Sequence, residues 1–100
     1  MGSFKLTNKA KIDLIKIAKY TEAQWGTEQR NLSLKQFDDA FHLLTNKPLI
    51  GKECDFIKKH YRKHPQGSHV IFYKDINTKD IEIIRILHKN VDVPSKFSLP

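Results

Sequence analysis

The run His69-Val70-Ile71-Phe72-Tyr73, followed after a polar turn by Ile81-Glu82-Ile83-Ile84-Arg85-Ile86-Leu87-His88, decides how this chain folds. β-Branched and aromatic residues fill both halves and Asp75 to Asp80 supply the turn between them, which predicts a long β-hairpin. Side chains alternate faces along a strand, so Ile81, Ile83, Arg85 and Leu87 are expected on one face and Glu82, Ile84, Ile86 and His88 on the other. Both faces are largely apolar, as in a central strand covered on both sides. Arg85 breaks that apolar run. A charge set there without a partner is costly, so an acidic or hydrogen-bonding partner must exist for it.

Working outward, Tyr61-Arg62-Lys63-His64 forms a further strand, with Pro65-Gln66-Gly67-Ser68 as the turn that leads into His69. At the other end of the chain, Phe4-Lys5-Leu6-Thr7 alternates apolar and polar residues as a short strand does, and Thr7 or Asn8 caps a helix after it. Ala10, Leu14, Ile17, Thr21 and Trp25 recur at three and four residue spacings along that helix, which ends at Gly26. Lys9, Lys11, Asp13, Lys16 and Lys19 fall mostly on its wet side. Thr27 caps a second helix with Leu34, Phe37, Ala40, Phe41 and Leu44 on its dry face, and the two helices form an antiparallel hairpin. Asn46, Pro48 and Gly51 interrupt the pattern, leaving residues 46–56 as loop.

The fold class is α+β: an N-terminal strand, an antiparallel helical hairpin, then a three-stranded C-terminal antiparallel segment completing one sheet with the helices on one side. Residues 1–90 are expected to form a single domain. Residues 91–100 are too short and proline-rich for another packed element and read as a C-terminal tail, with Phe97 and Leu99 as apolar anchors for a partner.

Composition narrows the functional classes. In 100 residues there are 18 Lys+Arg against 11 Asp+Glu, a formal charge of +7, which favours an acidic partner. The excess is spread evenly, with 8 basic and 5 acidic residues up to position 50 and 10 and 6 after it, so no basic tail accounts for it. Cys54 is the sole cysteine, which rules out an internal disulfide and suits a reducing compartment, the cytoplasm. No apolar run approaches membrane-spanning length. Met1-Gly2-Ser3 has the composition of a start left by an expression vector, and Leu6 stands where a myristoylation signal needs Ser or Thr.

Chemistry-bearing motifs are sparse. His60, His64 and His69 lie near Cys54 and Asp55, but their spacing fits no recognised zinc pattern and a basic strip surrounds them. Isolated glycines give no phosphate-cradling loop, so no cofactor, metal or nucleotide site is expected. The strip Lys58-Lys59-His60-Tyr61-Arg62-Lys63-His64 mixes cations with an aromatic and suits RNA contact, or equally an edge strand kept soluble by its lysines.

Leu6-Thr7 with Ala10, Asp13-Leu14, Ile17, Tyr20-Thr21, Trp25-Gly26, Gln29, Phe37, Phe41, Pro48, Gly51, Arg62, the His69 to Tyr73 strand and Arg85-Ile86-Leu87-His88 follow one another in a familiar order. From Leu6 to Asp92 the chain resembles ParE toxins of bacterial type II toxin–antitoxin modules, within the RelE/ParE superfamily. Ser33, Lys47 and Val91 depart from the family pattern. The resemblance implies a toxin that inhibits DNA gyrase by binding and stabilising its cleaved-DNA complex, with no catalytic residue of its own, no small-molecule substrate and no membrane partner. It also implies neutralisation by a cognate ParD-like antitoxin. Arg62, His69, Arg85, His88, Val91, Asp92 and Phe97 are the candidates for gyrase binding or activity, and Leu14, Trp25, Phe41, Arg62 and Tyr73 for antitoxin binding. The alternative is a ribosome-dependent mRNA endoribonuclease of the RelE type, with Arg62 and Arg85 at the phosphate. That branch uses a C-terminal aromatic for proton transfer, where this chain offers only His88 and Phe97, so His60, His64, His69 or His88 would have to substitute. A third reading is an inactive derivative that only occupies antitoxin.

Overall fold

The computed structural model describes residues 2–91 and 93–97. Its elements are β1 (Phe4–Leu6), α1 (Asn8–Trp25), α2 (Thr27–Asn46), a 3-10 turn (Pro48–Ile50), β2 (Lys52–Glu53), β3 (Tyr61–Gln66), β4 (His69–Asp75), β5 (Ile81–His88) and α3 (Val93–Phe97). The five strands form one sheet in the order β1-β5-β4-β3-β2, antiparallel except for β1, which lies parallel to β5. The expected strand and helix order is present. Two elements are additional: the two-residue edge strand β2 inside the expected loop, and α3 inside the expected tail.

Thr7 caps α1, its Oγ1 accepting from Ala10 N at 3.0 Å. The link to α2 is a single residue, Gly26, whose φ of 94° is readily available only to glycine. Its N–H closes α1 on Glu22 O (2.9 Å) and its carbonyl starts α2 by accepting from Arg30 N (3.1 Å). Thr27 is therefore not the cap of α2 but its first residue, because Gly26 already occupies the capping position.

Apolar clusters lie on both faces of the sheet. On one, Ala10, Phe37, Phe41 and Leu44 of the helical hairpin pack on Ile71, Tyr73, Ile81, Ile83 and Ile86. On the other, Cys54, Tyr61, Phe72 and Leu87 are covered by Ile57, Val91, Val93 and Phe97. Strict alternation along β5 fails. Tyr73 pairs with Ile83 while its neighbour Phe72 pairs with Arg85, so Ile84 is an extra residue in β5, a β-bulge. The bulge changes the phase: Ile81, Ile83 and Ile86 face the helices, whereas Ile84 and Leu87 belong to the opposite cluster. A one-residue insertion lets both ends of β5 present isoleucine to the helices, with Arg85 where the phase changes.

Candidate functional site

The bulge is held by side chains from the start of the chain. Thr7 Oγ1 donates to Ile84 O at 2.7 Å, and Asp13 Oδ2 accepts from the Ile86 amide at 3.0 Å. Asp13 is also the partner that Arg85 required. Arg85 Nε and Nη2 donate to the two carboxylate oxygens at 2.7 and 2.9 Å, with the side chains only 15% and 10% exposed for arginine and aspartate. The hydrogen bonds to Asp13 raise the arginine pKa further, against the opposing effect of burial. Arg85 Nη1 completes the link by donating to Lys96 O of α3 at 3.3 Å. Asp13, expected on the wet face of α1, is thus among the least accessible charges in the molecule; the sequence signal for it was a single acid in a run of lysines.

Arg62 serves the opposite edge of the sheet, where β3 meets β2. Its Nη1 donates to Gly51 O (2.8 Å) and its Nη2 to Glu53 Oε1 (3.3 Å), fastening the 3-10 turn to β3. Tyr73 finishes that corner: its hydroxyl donates to Pro48 O (2.7 Å) and accepts from Gly51 N (2.9 Å). Burial pushes the Tyr73 hydroxyl above its ordinary pKa, partly offset by the Gly51 amide, so it stays a donor. A Cβ at Gly51 would collide with that phenol, which explains glycine there.

The candidate residues fall into separate groups. His69 and His88 are cross-strand partners with ring centroids 5.5 Å apart, at one end of a groove of about 600 Å³ between the helical hairpin and the β3–β4 turn. Tyr20, Trp25 and Phe37 line the same groove, and Trp25 is 71% exposed despite its place in the apolar repeat of α1. Burial lowers the His69 pKa, and neighbouring His88 lowers it further. Leu14 is half-buried against the helix-side core. Phe41 and Tyr73, expected as antitoxin contacts, are 3% and 0% exposed; they belong to the core, because they fill the space between hairpin and sheet.

Val91 and Phe97 lie on the opposite face. Val91 is half-buried, and Phe97 sets its ring 5.1 Å from Phe72 and 5.9 Å from Tyr61. Val93 and Phe97, in the segment read as a tail, pack in this way against the apolar cluster on the α3 side of the sheet. Asp92 and Leu99 lie outside the described residues. Cys54 is fully buried, and burial raises its thiol pKa, which disfavours the nucleophilic thiolate. Among the described residues no three His, Cys, Asp or Glu side chains converge in a way that could hold a metal, and no helix is long and apolar enough to cross a membrane.

Comparison with known proteins agrees with this architecture. Residues 4–93 match the family model of the ParE toxin of type II toxin–antitoxin systems, parDE. The chain is 33% identical over 90 residues to Toxin ParE1 of Mycobacterium tuberculosis strain H37Rv, covering 90% of this chain and 92% of that protein. It is 32% identical over 92 residues to Toxin ParE1 of Caulobacter vibrioides strain CB 15, covering 92% and 94%. In fold it is similar to a chain from the chromosomal ParDE TA system of P. aeruginosa, with a TM-score of 0.72, 21% identity, and 88% of this chain and 96% of that chain covered. With the family match running from β1 to the start of α3, this chain belongs to the ParE toxins of type II toxin–antitoxin systems.

Proposed function

We propose that this toxin acts in the cytoplasm as a binding inhibitor of DNA gyrase, stabilising the complex with cleaved DNA, and that a ParD-like antitoxin neutralises it. The observation that favours binding over catalysis is the use made of the two arginines that a RelE-type nuclease would turn on RNA. Arg85 is engaged by Asp13 and the Lys96 carbonyl, and Arg62 by the Gly51 carbonyl and Glu53. Partly buried guanidinium groups already paired this way have less capacity left for a phosphate.

For the antitoxin, the groove beside Trp25 is the better match. Tyr20 and Trp25 present large exposed aromatic surface next to Lys16, which suits an apolar segment carrying acidic residues. Purified toxin is expected to block gyrase supercoiling and accumulate cleaved DNA, and equimolar antitoxin to reverse both. Unchanged supercoiling at large molar excess of folded toxin would overturn the gyrase reading, and messenger RNA cut in translating ribosomes would replace it with the nuclease.

A further inference from the structure

Beyond the antitoxin groove, the opposite side of the molecule holds a second cavity, of about 580 Å³, where the start of α1 meets α3 and the loop before β3. Its lining brings together three ammonium groups, Lys9, Lys58 and Lys96, from three separate elements. None of them forms a salt bridge among the described residues. Arg85 also lines it, but with its charge answered by Asp13. The 18-residue helix α1 opens at this cavity with no acidic residue in its first turn. The amides of Asn8 and Lys9 begin that helix without intrahelical acceptors. Apolar surface completes the site: Ile57, Tyr61, Ile84 and Phe97 line the cavity between the lysines.

Separate lysines converging on a helix start provide for phosphate oxygens, and the apolar lining between them provides for the face of an unpaired base. A purely acidic peptide would use the lysines and leave the apolar lining unemployed. We propose that this cavity binds the phosphodiester backbone of a single nucleic-acid strand, so that the toxin touches DNA directly as well as gyrase. The identification of the strand as DNA rests on the gyrase reading; the phosphodiester chemistry does not.

Full-length protein titrated into a short fluorescein-labelled single-stranded DNA, and into RNA of the same sequence, with anisotropy as the readout, tests this. Binding is expected to weaken with salt, with a log–log slope of about −2 for three lysine contacts at ~0.7 each. Lys9→Glu, Lys58→Glu and Lys96→Glu are each expected to weaken it about tenfold. Lys79→Glu, the same charge change on the β4–β5 turn, is expected to have a much smaller effect. Circular dichroism melts confirm that the variants are folded. Equal losses from Lys79→Glu and the three cavity variants would overturn the proposal in favour of diffuse attraction to a +7 surface. Tighter binding of a labelled oligoglutamate peptide than of DNA would overturn it in favour of an acidic peptide, and a tenfold preference for RNA would remove the assignment to DNA. Absent DNA binding with supercoiling still inhibited removes the cavity and leaves the gyrase reading standing; DNA binding with supercoiling untouched does the reverse.

Discussion

Asp13 ties α1 to the bulge of β5, since one carboxylate accepts from Arg85 twice and from the backbone of Ile86. Removing one partner of a buried pair leaves the other charge unanswered, and Asp13→Ala is expected to cost about 3–5 kcal/mol, read as a lower urea midpoint. Asp13→Asn keeps some of the hydrogen bonding and should cost less. Gly51→Ala should also destabilise, by about 1–3 kcal/mol, because the added methyl must displace the Tyr73 phenol. Tyr73→Phe in the otherwise unchanged protein measures the loss of the Pro48 and Gly51 hydrogen bonds by itself. Neither constraint was legible in the sequence. The need of Arg85 for a partner followed from its apolar neighbours, but the partner is 72 residues away and is itself surrounded in sequence by lysines.

At the scale of elements, the helical hairpin was readable because three and four residue spacings leave a strong imprint, and glycine at position 26 marks its corner. The β5 phase was not, because a run of Ile-Ile-Arg-Ile looks the same with or without a bulge; only pairing with Phe72 and Tyr73 reveals the extra residue. The short helix α3 was hidden by its five-residue length and by Pro94, although proline is compatible with a helix's first turn. The β4–β5 pair also sets a pH response. His69 is held below the ordinary imidazole value of 6.5 by burial and by His88. The unfolded chain therefore binds protons more readily, so the stabilising effect of neutral His69 is present above pH 6.5 and is lost progressively as pH falls through that value toward the folded pKa. Burial lowers the His64 pKa as well, which adds to the same trend. Unfolding free energy measured from pH 8 to pH 5 should decline on the acid side, and His69→Gln should flatten part of that decline.

For the whole molecule, two covered faces are the governing fact, since the sheet has the helical hairpin on one side and the smaller α3 layer on the other. Ending the chain before Val93 would uncover Phe72, Tyr61 and Leu87 and release the Arg85 link to Lys96. The shortened protein is expected to keep its helical content, melt at a lower temperature and bind a hydrophobic dye. A melting point equal to that of the full chain would mean that α3 contributes little to the fold. Of the site candidates, Trp25, His69 and His88 share a groove, whereas Phe41 and Tyr73 are interior. Sequence periodicity marks apolar residues as a class and does not separate those that face the sheet from one that projects beside it.

The parallel pairing of β1 with β5 has a consequence for how the toxin comes into being. Phe4 leaves the ribosome long before its strand neighbour Ile81. During synthesis β1 must wait for β5, and the Thr7 and Asp13 bonds to the bulge must wait still longer. The helical hairpin can form early from local contacts, but the completed sheet is a late event. A nascent chain halted within β4 therefore lacks the native sheet, and with it the bonds of Thr7 and Asp13 to the bulge.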